Sequence, residues 1–125
     1  MKLRIRGNSL RMRLSQSETQ DLLTHGMVEE SVRFPGGMAL AYAIVLVRQG
    51  SHVTAAMSGS RIEVRLPEFL AREWIESDQT GIERELALAD GESLKLLMEK
   101  DFRCLHRRNG EDESNSFPNP ADESQ

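Results

Sequence analysis

The fold is decided by residues 1–14, which read MKLRIRGNSLRMRL. Apolar and cationic residues alternate in two short runs, and this period of two is typical of half-buried β-strands. Between the runs, residues 7–9 (Gly-Asn-Ser) have the composition of a turn. With a two-residue loop at 8–9, Arg6 faces Arg11. The apolar residues then share one face of a hairpin and the cations share the other.

The next signals predict a helix and a second pair of strands. Ser15 and Glu18 have the spacing of a helix capping box. Gly26 is a natural place for that helix to end. Two strands follow at about 27–34 and 39–47, and the second is apolar on both faces, as a central strand would be.

The same order of elements begins again after residue 52. It predicts strands at about 53–57 and 62–66, a helix that begins at Pro67, and strands at about 82–89 and 94–99. With a shift of 52 residues, GNSLRMRL at 7–14 lies over GSRIEVRL at 59–66. We therefore predict an α+β fold, an antiparallel barrel or curved sheet, built from a duplicated ββαββ unit with two short helices. The two copies are residues 1–49 and 52–100.

Length and charge distribution predict one domain and a tail. The 125 residues fit a single domain, which we place at 1–106, followed by a disordered acidic tail at 107–125. Residues 109–125 contain five Asp or Glu and no Lys or Arg. Two interpretations of the tail are open: it stays solvated, or it folds back on the cations and competes with an anionic ligand.

Cysteine content and hydropathy predict a cytoplasmic protein without membrane contact. The single cysteine, Cys104, excludes an intramolecular disulfide and fits a reducing compartment. The longest apolar run, 38–47, has about half the length that a membrane helix needs. Alternating charge over residues 1–6 does not fit a secretory signal.

Two parts of the sequence resemble known proteins. Residues 1–11, with 99–102 and 117–120, resemble a family of short uncharacterised bacterial cytosolic proteins, which implies a bacterial source and no particular activity. The step from strand into helix at 65–70 (RLPEFL) resembles the swapped-hairpin barrels of bacterial transition-state regulators and antitoxins. In those barrels two short chains supply the two halves, and a basic N-terminal hairpin face meets DNA.

The first hairpin carries the candidate binding site. Its five cations are Lys2, Arg4, Arg6, Arg11 and Arg13. Arginines that oppose each other across a hairpin repel unless an anion lies beside them. The face therefore predicts an anionic partner, either nucleic acid or an acidic protein.

The alternative for these cations is a salt-bridge ladder with acids on neighbouring strands, which would carry little functional meaning. The candidate acids are Glu29, Glu30, Glu83 and Glu85. Sequence alone leaves the ladder and the anion site both open.

No residue pattern predicts catalysis. Cys104 and His106 supply too few ligands for a metal site, and the carboxylates accompany no nucleophile or phosphate-loop motif. We expect no catalytic residues, no metal and no cofactor. The predicted function is a non-catalytic binding module whose cationic hairpin recognises an anionic partner. The alternative is a protein–protein interaction or assembly domain that pairs through its edge strands.

Overall fold

The computed structural model describes residues 1–102, in which eight strands and two helices form. In chain order they are β1 (Lys2–Arg6), β2 (Ser9–Leu14), α1 (Gln16–His25), β3 (Met27–Arg33), β4 (Ala39–Val47), β5 (Thr54–Ser58), β6 (Arg61–Pro67), α2 (Glu68–Ile75), β7 (Gly81–Ala87) and β8 (Ser93–Lys100). The predicted acidic tail, with Cys104 and His106, lies outside the described residues.

The strands form two four-stranded sheets. Sheet 1 has the spatial order β1-β2-β8-β7, and sheet 2 has the order β3-β4-β6-β5. The predicted α+β class with two helices is confirmed, and the eight described strands make two sheets and no closed barrel.

The antiparallel prediction holds for the four hairpins but is wrong for the two central pairs, β2–β8 and β4–β6, which are parallel. All four hairpin turns lie at one end of the molecule, and the helices lie at the other. The second strand of every hairpin therefore runs toward the helices. Two such strands can pair only in parallel, so parallel pairing follows wherever hairpins join through their second strands.

The turn of the first hairpin lies one residue earlier than its sequence predicts. Arg6 pairs with Ser9 and not with Arg11, so the loop is 7–8. Gly7 has a φ of +55°, the left-handed conformation that a tight hairpin turn requires. The register differs from the predicted one by two residues, which leaves each side chain on its predicted face.

Matching hydrogen bonds relate the two halves of the chain. At the turn end, Lys95 N donates to Asn8 O at 3.1 Å, and Ala41 N donates to Ser60 O at 2.8 Å. At the helix end, the matching bonds run from Lys100 N to Thr80 O and from Leu46 N to Gly26 O, at 2.9 and 2.8 Å. Each sheet thus contains one hairpin from each half. The division into copies 1–49 and 52–100 stays a prediction, which these equivalences support.

One core lies between the sheets and is closed by the helices. Leu22 of α1 and Trp74 of α2 are both fully buried in it, at positions 52 residues apart. The strands contribute their inward-facing apolar side chains, including Met12, Leu14, Ile44, Val64, Leu66, Leu96 and Met98. Trp74 Nε1 also donates to Thr80 O at 3.1 Å, so the buried indole leaves no unpaired donor.

The capping box of α1 is confirmed and is joined to the first residue of the chain. Ser15 N donates to Glu18 at 2.8 Å, and the Glu18 N–H donates to the Ser15 hydroxyl. The amino group of Met1 is buried and donates to both Glu18 and Glu30. Burial alone would raise the pKa of Glu18, but the bonds from the amino group and Ser15 outweigh it and hold that pKa below its usual value.

Replacement of Glu18 by Gln is expected to lower the free energy of unfolding by about 1.5–3 kcal/mol near neutral pH, because a charged hydrogen bond is lost. Since the pKa of Glu18 is depressed on folding, its stabilisation is present above the usual value of 4.5. It disappears as the pH falls through the lower folded value. Urea denaturation from about pH 3 to 7 should show the two proteins converging at the acid end. A constant difference across that range would contradict the assignment, and the exposed Glu73→Gln serves as control.

Cleavage of the connection between the halves is expected to leave the protein assembled. Each sheet contains hairpins from both halves, so neither half can keep its sheets alone. A protease site inserted between Gly50 and Ser51, which are exposed, allows the cut after folding. The cut protein should elute at the size of the whole chain and separate only in denaturant. Separate elution of two folded fragments without denaturant would show that the halves are independent.

Candidate anion-binding face of sheet 1

The outer face of sheet 1 brings the predicted site residues together. Alternation along each strand places the core residues inward and the other set outward. Three rows of outward residues cross the sheet: Lys2, Arg13 and Glu99; Arg4, Arg11, Leu97 and Glu83; and Arg6, Ser9, Lys95 and Glu85. We call the six Lys and Arg side chains of these rows the cationic face. All five cations of the first hairpin belong to it.

Acids in β8 and directly after it neutralise part of the cationic face. Glu99 Oε1 lies 2.8 Å from Arg13 Nε and 3.3 Å from Arg11 Nε. Lys2 Nζ lies 2.9 Å from Asp101 Oδ2. These three cations therefore form part of a salt-bridge ladder at the helix end of the sheet. Since the lysine is mostly exposed, that pair contributes little to stability.

The acids proposed for such a ladder from sequence are elsewhere. Glu29 and Glu30 belong to sheet 2, where Glu29 pairs with Arg61 and Glu30 accepts from the Met1 amino group. Glu83 and Glu85 do share the outer face of sheet 1, but strand β8 separates them from the first hairpin. The ladder thus exists in a different form and covers only the helix end of the face.

The turn end of the cationic face has more cations than acids. Among residues 1–102, no carboxylate lies within 4.0 Å of Arg4, Arg6 or Lys95. Arg4 lies directly opposite Arg11 across the hairpin. Opposed like charges of this kind destabilise a hairpin. Glu99, 3.3 Å from Arg11, offsets part of this repulsion, and a bound anion beside Arg4 would offset more of it.

A groove lies over this end of the face. Its volume is about 240 Å³, and its lining includes four cations and one acid: Arg4, Arg6, Arg11, Lys95 and Glu83. Leu96 and Leu97 contribute apolar lining beside the charges. Long cationic side chains around an open groove can approach an anion from several directions without leaving water. The groove therefore suits a multivalent anion such as a phosphate backbone.

On the outer face of sheet 2, the position that corresponds to Arg11 carries a carboxylate that pairs with the neighbouring arginines. Glu63 occupies the place that Arg11 has in sheet 1, and it lies 3.2 Å from Arg61 and 2.8 Å from Arg65. Hydrogen bonds from Arg65 and then Arg61 hold the pKa of Glu63 below its usual value. At the places of Arg4 and Arg6, sheet 2 has Ala56 and Ser58. The charges around Glu63 on the outer face of sheet 2 pair with one another, whereas the turn end of the cationic face has more cations than acids.

Lys95 is the member of the cationic face that sequence analysis missed. The alternation of Leu94, Leu96 and Met98 shows that Lys95 faces outward, together with Glu99. The sequence does not show that β8 lies beside β2, because both halves offer a strand with the same pattern. Each sheet combines one hairpin from each half, and this arrangement, which places β8 beside β2, is what the sequence does not show.

Two negative observations bear on other kinds of site in the described part of the chain. Within residues 1–102, no group of three or more His, Cys, Asp and Glu side chains is placed to hold a metal ion. In the same span, neither helix has the length and hydropathy of a membrane-spanning segment.

The fold and face together define a two-sheet α+β protein with one unbalanced cationic sheet surface. The chain belongs to DUF7009, a family of unknown function, whose model matches residues 1–121. The resemblance to an uncharacterised family is thereby confirmed, whereas the bacterial source and the likeness to swapped-hairpin barrels stay predictions. No curated protein and no solved structure matches the chain.

Proposed function

We propose that this protein is a binding module that holds an anionic partner on the cationic face of sheet 1, with duplex DNA as the leading candidate. The observation that carries the proposal is the excess of positive charge at the turn end of the face, where Arg4, Arg6 and Lys95 lie around one groove with Arg11.

The shape and composition of the face favour duplex DNA over other nucleic acids. The first hairpin lies at the edge of sheet 1, and a two-stranded ribbon is narrow enough to enter the major groove of B-DNA. The corresponding groove of duplex RNA is deep and narrow. The four strands of sheet 1 contain no aromatic residue on which the bases of a single strand would stack.

The function is tested by removing two cations from the face and two from elsewhere. Arg4→Ala/Arg6→Ala is expected to weaken binding of a labelled DNA duplex in an anisotropy titration. It should also reduce the slope of log K against log salt by about 2, since each phosphate contact contributes about 0.9. Arg33→Ala/Arg48→Ala changes net charge equally on other exposed surfaces. Equal losses in the two variants would mean that binding follows net charge and not this face.

The second candidate function, assembly through edge strands, is favoured by sheet 2. Its edge strands β5 and β3 expose apolar side chains, with Met57 68% and Val32 45% accessible. The β1 edge of sheet 1 instead carries charge, a common protection against edge pairing. Light scattering with size-exclusion chromatography tests this candidate. A dimer that Met57→Lys dissociates and Arg4→Ala/Arg6→Ala leaves intact would favour assembly through β5.

A further inference from the structure

An apolar cleft opens between the sheets at the turn end of the molecule. Its volume is about 380 Å³, within the range of natural binding pockets, and its lining includes Ile5, Leu10 and Leu94 from sheet 1 and Leu40, Met57 and Ile62 from sheet 2. Ile5 is 58% exposed and Met57 68% exposed. Such large apolar surface in adjacent positions marks a site that something covers.

The cleft and the cationic groove are neighbours. Ser9 and Leu10 line both, because the tip of the first hairpin separates the outer face from the space between the sheets. A single peptide that fills both the cationic groove and the apolar cleft would need acidic groups followed by an apolar segment. The chain itself has this pattern beyond the described residues: Glu-Asp-Glu at 111–113 and Phe-Pro-Asn-Pro at 117–120.

The C-terminal segment begins close enough, and is long enough, to reach both the cationic groove and the apolar cleft. The described chain leaves β8 beside β2, with Asp101 N donating to Leu14 O at 2.9 Å. Glu111 is nine positions after Phe102 in the sequence, so it can lie up to about 30 Å away. Strand β2 has six residues and spans about 20 Å. The acids can therefore reach the turn end of the face, and Phe117 can reach the cleft beyond it.

The match to the family model includes this segment. The family model extends to residue 121, just past Pro120, so the acidic stretch and Phe117 lie within the matched part of the chain.

We propose that the C-terminal segment binds its own domain, with acids 111–113 on the cationic face and Phe117 in the apolar cleft. The segment thereby competes with an external anion. This competition rests on the function proposed above, whereas the docking of Phe117 does not. A partner that displaces the acids would also uncover the cleft, so the same contact would control both surfaces.

Docking is tested by the methyl resonance of Met57 in the full-length protein. If Phe117 lies against Met57, its ring current shifts that resonance, and Phe117→Ala should move it toward the position of a solvent-exposed methionine. Phe69→Ala removes an exposed phenyl group from α2 and should leave the resonance unchanged. An unchanged Met57 resonance in Phe117→Ala would overturn the proposal, whether or not the protein binds DNA.

Competition is tested by neutralising the acids in the full-length chain. Glu111→Gln/Asp112→Asn/Glu113→Gln should tighten binding of the DNA duplex by about tenfold, since a tethered competitor acts at an effective concentration of roughly millimolar. The control is an equal change of charge at exposed acids of the domain, Glu73→Gln/Asp78→Asn/Glu92→Gln. Equal affinities of the two triple variants would overturn competition. A complete lack of DNA binding in every variant would overturn the proposed function and leave the Met57 result to decide docking.

Discussion

The substitution Arg11→Glu is expected to weaken binding of duplex DNA at least about tenfold while the protein stays folded. It places on β2 the carboxylate that Glu63 supplies at the matching position of β6. Binding falls because one phosphate contact is lost and a negative charge enters the groove. Stability should change by less than about 1 kcal/mol, because the attraction gained toward Arg4 is offset by the loss of the ion pair with Glu99.

The control for this variant is Arg33→Glu, which makes the same charge change at the exposed end of β3. Anisotropy titration measures the affinity, and urea denaturation measures the stability. Loss of binding with retained stability in Arg11→Glu alone assigns a binding role to the face. Unchanged affinity in Arg11→Glu would contradict a binding role for Arg11 and leave it with its ion pair to Glu99 alone.

Replacement of Trp74 by Ala is expected to lower the free energy of unfolding by about 3–5 kcal/mol, a large part of the stability of a domain of this size. The side chain is fully buried, and its indole N–H is bonded to Thr80 O. The melting temperature should fall by about 15–30 °C. Circular dichroism is the suitable measurement, because Trp74 is the single tryptophan and its fluorescence is lost with it.

Phe69→Ala is the matched control for Trp74→Ala, since it removes an aromatic side chain from the same helix. Phe69 is 57% exposed, and its removal should change stability by less than about 0.5 kcal/mol. Similar melting temperatures for the two variants would contradict the assignment of Trp74 to the core. Leu22→Ala, at the matching position of α1, should resemble Trp74→Ala with a smaller loss.

Local signals in the sequence predicted the elements and their faces. The capping box of Ser15 and Glu18 and the helix end at Gly26 depend on contacts within a few residues, and the structure contains both. The alternation of the first hairpin placed all five cations on one face, and they lie on one face. These features are local, so the sequence determines them without knowledge of the tertiary structure.

Long-range pairing could not be obtained in the same way. A period of two is unchanged by a slip of two residues, which is why the predicted register of Arg6 with Arg11 was wrong although the faces were right. The alternation of β8 gives its outward residues but not its neighbour. Lys95 and Glu99 lie beside β2 because sheet 1 combines a hairpin from each half of the chain. No local sequence pattern indicates which hairpins share a sheet.

The central claim is that the cationic face binds a phosphate backbone, and the salt dependence of DNA binding by the unmodified protein tests it most directly. The measurement is an anisotropy titration of a labelled DNA duplex at several salt concentrations between about 50 and 200 mM. Contacts from Arg4, Arg6, Arg11 and Lys95 predict a slope of log K against log salt between about −3 and −4. The affinity should then fall about a hundredfold over that range. Absence of binding at the lowest salt, or an affinity that salt leaves unchanged, would contradict the claim.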